Sequence, residues 1–112
     1  MKTMYVINEE RCEIRSTRPI DVSDKNAFIE TYVDDYDEKQ GYRWPSELSR
    51  FDDLESAEAE FNALTKNSDN WVYLSQNGKI YTASFTVITL EAEHLYDDGE
   101  INYVELLKQD II

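Results

Sequence analysis

The chain has 112 residues, 11 Lys and Arg against 24 Asp and Glu, one His, one Cys, and a formal net charge of −13 at pH 7. The length fits a single domain over 1–112 with one modest core, and the charge exceeds the magnitude of about 2–8 usual for a small domain. That charge argues against direct binding of DNA, RNA or an anionic membrane, since phosphate binders need Lys and Arg; 41% apolar and 12% aromatic residues argue against a disordered acidic tail.

Residues 3–8 and 12–17 read as two short strands. Asn8 to Arg11 is then the turn of a first hairpin, and Pro19 ends its second strand. Ser23 is the expected N-cap of a first helix over 24–37. Phe28, Ile29, Tyr32, Val33 and Tyr36 recur there at three- to four-residue spacing. An extended strand competes for this segment, because Tyr, Val and Ile favour strands. Residues 39–50, with Gly41 and Pro45, read as a loop and form the one mildly basic stretch. Asp52 or Asp53 caps a second helix over 53–65, whose Leu54, Ala57, Phe61 and Leu64 make an apolar stripe. Asn67 to Asn70 ends it.

Asn77-Gly78 between two β-rich runs marks a two-residue hairpin turn, pairing Gln76 with Lys79, Leu74 with Tyr81 and Val72 with Ala83. One face then holds Val72, Leu74, Tyr81, Ala83, Phe85 and Val87, expected as core beneath the second helix. The other holds Trp71, Tyr73, Ile80, Thr82, Ser84 and Ile88, too apolar to be fully solvated. The run 79–96 is long for one strand and predicts a bend or bulge. Asp97 to Glu100 is a turn, and 101–108 fits a strand or a short helix. The expected architecture is α+β: an antiparallel sheet of four to five strands, built from hairpins 3–17 and 71–91, packed against two helices.

Catalytic motifs are missing. His94, the single histidine, has no G-x-S-x-G companion, and one His with one Cys does not make a zinc site. Asp34 to Lys39 fails as an EF-hand loop, because Lys39 takes a ligand position and the glycine falls one residue late. Three glycines leave no P-loop or dinucleotide fingerprint. The expectation is a non-enzyme with no cofactor and no metal. Cys12 cannot form an internal disulfide, residues 1–12 carry no signal-peptide run, and no segment reaches a membrane span; the cytoplasm is the expected compartment.

Two kinds of surface remain as candidate partner sites. Tyr42 and Trp44 are residue types enriched at binding hot spots. The acids form clusters: Glu30, Asp34, Asp37 and Glu38 along the first helix, Asp52, Asp53, Glu55 and Glu58 on the second, and Glu91, Glu93, Asp97, Asp98 and Glu100 further on. Carboxylates three and four apart on a helix stand about 5–6 Å from each other, a spacing comparable to that of successive phosphates, so a row of them can imitate a nucleic-acid backbone.

In small size, strong acidity, lack of motifs and compact α+β pattern, the chain resembles the phage-encoded inhibitors of host defence, notably anti-CRISPR proteins and antirestriction DNA mimics. The resemblance is one of general character and carries over no individual residue. It implies a non-enzymatic inhibitor that binds a basic nucleic-acid-binding protein of the host, foremost an RNA-guided nuclease of a type II CRISPR system, whose Arg residues and basic channel hold DNA. Two other readings stand beside it. One is a prophage or bacterial accessory domain using an apolar surface around Tyr42, Trp44 and Trp71. The other is a small metal-dependent nuclease assembling Glu91, Glu93 and Lys108.

Overall fold

The structure, a computed structural model, describes residues 2–34, 41–66 and 69–112. Its elements run β1 (Lys2–Ser16), α1 (Lys25–Ile29) continued by a π-helical turn (Glu30–Asp34), β2 (Gly41–Phe51), α2 (Leu54–Leu64), β3 (Val72–Asn77), β4 (Ile80–Leu95) and β5 (Ile101–Ile111). Every strand pair is antiparallel. β1 lies along one edge of β4 for its whole length, and β2 pairs outside β1. β3 and β5 follow one another along the other edge of β4. Sixteen residues at about 3.3 Å each make β4 about 53 Å long, which sets the 54 × 29 × 20 Å shape of the molecule.

The α+β class, the antiparallel sheet and two helical units are as the sequence predicts, but the hairpin plan is corrected in its first half. Lys2–Ser16 is one strand, not a hairpin. Asn8, Glu9, Glu10 and Arg11 continue the ladder opposite Thr89, Ile88, Val87 and Thr86; polar as they are, they include no Gly or Pro to turn the chain. The expected loop 39–50 is an edge strand from Gly41 onward. Proline cannot donate to a ladder and is tolerated on an edge; Pro45 sits opposite Glu10 in a strand paired only with β1. Asp24, not Ser23, caps α1: its carboxylate accepts from the Asn26 and Ala27 amides at 3.0 and 3.2 Å. Ser23 is engaged instead by Asp21, donating its hydroxyl at 2.6 Å and its amide at 2.9 Å. The helical segment then widens into a π turn, which brings Phe28 and Val33, five residues apart, both into the core. Residues 35–37 of the expected first helix lie outside the described residues.

The second hairpin forms with its turn one residue later than expected. Gly78 and Lys79 are the loop, Asn77 pairs Ile80 and Leu74 pairs Ala83. Gly78 stands at φ 61, in the first central position where a type II′ turn calls for glycine. The resulting slip of two residues keeps every side chain on its expected face, since strand faces alternate with period two. Segment 101–108 is strand. The expected irregularity along β4 appears in β5, where Asn102 and Leu107 are the extra residues of two bulges.

The sheet has two cores, one on each face and one in each half. Ala83, Phe85 and Val87 of β4, with Cys12 and Ile14 of β1, are buried beneath α1 and its π turn. From Ile88 the buried parity flips: Ile88 and Leu90, with Ile7 of β1, lie under Ala57 and Phe61 of α2. Antiparallel partners share a face, so the two helices cover opposite faces. This corrects the expected packing of α2 on Val72, Leu74, Phe85 and Val87. Ala57 and Phe61 are buried as expected, Leu64 is half-buried, and Leu54 and Leu74 are exposed. The first core turns on Phe28, whose ring centroid lies 4.8 Å from Tyr32, 5.0 Å from Trp71 and 4.9 Å from Phe85. Among the described residues each face thus has a helix over one half only, and Val6, on the face away from α2, is buried without one.

Candidate functional site

The acidic clusters fall on both faces. Glu30 and Asp34 open and close the π turn, both exposed, and the Asp34 carboxylate accepts from Gln109 Nε2 at 3.0 Å. Asp37 and Glu38 lie outside the described residues. On the opposite face Asp52 is exposed, 3.8 Å from Lys2 Nζ. Asp53 is the N-cap of α2 and accepts the Ser56 amide at 2.8 Å; hydrogen bonds from Ser56 hold its carboxyl below the ordinary range. Glu55 is exposed in the first turn and Glu58 is half-buried. The sheet therefore separates the first acidic group from the second.

Of the third group, Glu93 is bound by Arg50 at 2.6 Å, and Asp97, Asp98 and Glu100 decorate the β4–β5 turn. Lys108 pairs opposite Leu90, on the face away from Glu91 and Glu93, and its ammonium stands 5.9 Å from the Phe61 ring. The sheet thus does not assemble that nuclease trio. Among the described residues, no three His, Cys, Asp or Glu side chains converge to hold a metal ion.

Many of the cations stand beside carboxylates, although the side chains of Lys2, Arg11 and Arg15 are more than half exposed. Among the described residues Lys2, Arg11, Arg15, Lys25, Arg43 and Arg50 each stand within 4.0 Å of a carboxylate oxygen. Arg43 bridges Glu10 and the Val33 carbonyl, tying β1, β2 and the π turn together. The acids outnumber these bases, and the net charge stays at −13.

Tyr42 and Trp44 come together on the bare half of the α2 face. Their positions in β2, opposite Glu13 and Arg11, put both rings on one side. The rings stack at 5.7 Å and 23°, each about half exposed, with the Arg15 guanidinium 5.2 Å from the Tyr42 centroid. Trp71 does not stack with this pair; its ring packs edge-on against Phe28, and it borders the same cleft as Trp44. Beside Trp44 lies an open cleft of about 570 Å³, bordered by Arg11, Glu13, Tyr73, Ser84, Thr86 and Ile112. Tyr73, on the strand face that the sequence marks as too apolar to be fully solvated, is 70% exposed. The change of buried parity along β4 is the signal that this half-face stands uncovered.

Two reactive side chains are accounted for structurally. Cys12 is buried, and desolvation pushes its thiol up to about 11; Arg43 opposes this and Glu10 adds to it. A thiol held protonated is no nucleophile at neutral pH. His94 Nδ1 contacts the Thr3 hydroxyl at 3.1 Å, its Nε2 contacts Glu105 at 3.2 Å, and its ring stacks on Tyr103 at 4.3 Å. The sequence hydroxyl–imidazole–carboxylate has the order of a triad, yet it runs across β1, β4 and β5 on the sheet half away from the cleft. It serves as a cross-strand clamp.

No helix among the described residues is long and apolar enough to cross a membrane. Comparison with known proteins returns no matching family model, curated protein or solved structure.

Proposed function

We propose that the protein is a non-enzymatic inhibitor that docks onto a basic nucleic-acid-binding protein and occupies the groove in which that partner holds phosphates. The observation that carries this reading is charge per length. Thirteen net negative charges spread along a 54 Å molecule give about one per 4 Å, against one per about 3.4 Å along a single strand of duplex DNA. A slender acidic rod, many of whose bases stand beside its own carboxylates, offers a Lys- and Arg-lined channel what a nucleic-acid strand offers it. The favoured target is an RNA-guided nuclease of a type II CRISPR system, whose channel and Arg readers hold DNA. The host cytoplasm, where such a target works, is reducing and suits the single free Cys12.

The test is binding to such a nuclease, loaded with its guide, at rising salt and against duplex DNA. Expected are an affinity that falls steeply with salt and mutual exclusion with DNA. Binding that ignores salt, or that proceeds with DNA in place, overturns the reading. The stacked Tyr42–Trp44 pair beside the cleft favours a second reading, docking through an aromatic surface. Trp44→Ala then abolishes binding, while Gln and Asn replacements of the α2 carboxylates leave it intact.

A further inference from the structure

We propose that the bare half of the α2 face is a binding site for a neutral carbohydrate. The ladder builds it row by row. One row sets Trp44 of β2 beside Arg11 of β1 and Thr86 of β4; the next sets Tyr42 beside Glu13, Ser84 and, on β3, Tyr73. Antiparallel partners share a face. Aromatic rings therefore stand on the two outer strands, hydroxyls on β4 between them, and one residue of each charge on β1. The cleft over these rows, about 570 Å³, lies within the range of about 300–1,000 Å³ usual for small-molecule sites.

Charge selects the occupant. Glu9, Arg11, Glu13 and Arg15 alternate along this face of β1, with Arg11 3.9 Å from Glu9 and Arg15 3.0 Å from Glu13, so their charges cancel. Between Asn70 and Leu90 the one charged residue is Lys79, in the hairpin turn, although the chain as a whole is 31% charged. The rows are thus neutral on a molecule of net charge −13, which suits neither a cationic nor an anionic ligand. A wholly apolar ligand fits no better, since it would strip water from Arg11, Glu13, Ser84 and Thr86 and return no hydrogen bond. Ser84 and Thr86 are half-buried, and among the described residues neither hydroxyl has a hydrogen-bond partner. A pyranose ring meets both demands. Its C–H face lies against the negative face of an aromatic ring. Its hydroxyls donate and accept, matching Arg11 as donor, Glu13 as acceptor and the Ser84 and Thr86 hydroxyls as either. Trp44, stacked on Tyr42, and Tyr73 are the exposed platforms at the two sides of the cleft. The site uses none of the acidic clusters, so it is independent of the partner reading above.

Titration of the full chain with maltohexaose, cellohexaose and chitohexaose, followed by calorimetry and tryptophan fluorescence, tests this. Saturable binding of at least one of the three is expected, with the same dissociation constant at low and at about 0.5 M salt, because the ligand carries no charge to be screened. The complex with a basic partner weakens over that range, so the two readings fail separately. Trp44→Ala and Tyr73→Ala are each expected to raise the dissociation constant by about tenfold or more, as the loss of an aromatic hot spot does. Both side chains are exposed, so both variants are expected to keep the parent's circular dichroism spectrum; should Trp44→Ala fail to fold, Tyr73→Ala decides. The proposal is overturned if none of the three oligosaccharides binds at about 10 mM, if binding falls away with salt, or if a folded Trp44→Ala or Tyr73→Ala binds as the parent does.

Discussion

Phe61 shows how much of this fold rests on single side chains. It is 6% exposed and meets Ile88 and Leu90 across the α2 interface. Truncating a buried Phe to Ala removes its transfer free energy and leaves a cavity, at about 3–5 kcal/mol. A domain with about 5–15 kcal/mol in hand is then near its limit. Phe61→Ala is expected to lower the unfolding free energy by that amount, read as a fall in the urea midpoint at unchanged m-value, and an unchanged midpoint would mean the α2 face is misassigned. Asp53 acts through a proton instead. Its carboxyl sits below the ordinary range through the Ser56 hydrogen bonds, so its stabilisation is present above the unfolded carboxylate value and is lost as pH falls through the folded one. Asp53→Ala is expected to destabilise at neutral pH and to match the parent in acid. Asp53→Asn, which keeps an acceptor oxygen, is expected to retain much of the cap and lose the pH dependence. Cys12 gives the opposite slope. With its thiol at about 11 in the folded chain, the unfolded chain gives up the proton first, and stability falls as pH rises from about 8.5 through 11. At pH 8 the thiol is expected to resist alkylation until urea unfolds the chain.

At the level of elements, the two-faced sheet makes a prediction that a one-faced sheet does not. Residues in contact couple, with interaction energies of about 0.5–3 kcal/mol, whereas residues without shared partners add. Phe61→Ala and Ile88→Ala are therefore expected to be non-additive in a double-mutant cycle, while Phe61→Ala and Val87→Ala add, although Val87 and Ile88 are neighbours in sequence. Equal coupling of Phe61 to both would place α2 on the wrong face. The distinction was legible in the sequence, because the buried series Ala83, Phe85, Val87 changes phase to Ile88, Leu90, Ala92. In β1 the change is less clean, since Val6 and Ile7, on opposite faces, are both buried ahead of Cys12 and Ile14. Reading each run as having one apolar face hid this. α2 was legible because an Asp cap and a helical stripe are local signals. β2 was not, because Pro45 and Gly41 look like loop residues until an edge position is known, and that depends on β1. The acids of the candidate surface were visible as residues, but their division between two faces depends on which helix covers which half. The hairpin's exact turn offers a smaller test of local chemistry. A Cβ at Gly78 meets open space, so only its left-handed φ penalises a side chain. Gly78→Ala is expected to cost about 1–2 kcal/mol, read from the denaturation midpoint.

For the whole molecule, the charge that suits a basic partner also strains the fold. Thirteen uncompensated charges repel one another, and compactness holds them closer than they stand in the unfolded chain. The screening length falls from about 30 Å at 0.01 M to about 3 Å at 1 M. At low salt it exceeds the 20 Å thickness of the molecule, so carboxylates of the α1 and α2 faces feel each other through the sheet; at high salt each senses only its neighbours. Salt is therefore expected to stabilise the fold while weakening the proposed complex with a basic partner. Exposed ion pairs such as Arg15–Glu13 lose a little in the same direction as the complex, but each is worth only about 0–1 kcal/mol. Replacing Glu55, Glu58 and Glu60 by Gln removes part of the repulsion without touching buried Ala57 or Phe61. That variant is expected to melt higher than the parent at 0.01 M salt, to approach it at 1 M, and, on the proposed function, to bind an RNA-guided nuclease less tightly. The measurement is a pair of urea titrations at the two salt concentrations beside the binding isotherm. A triple variant less stable than the parent at low salt would show that these carboxylates contribute to the fold through contacts, and the acidic surface would then lose its standing as one maintained for a partner.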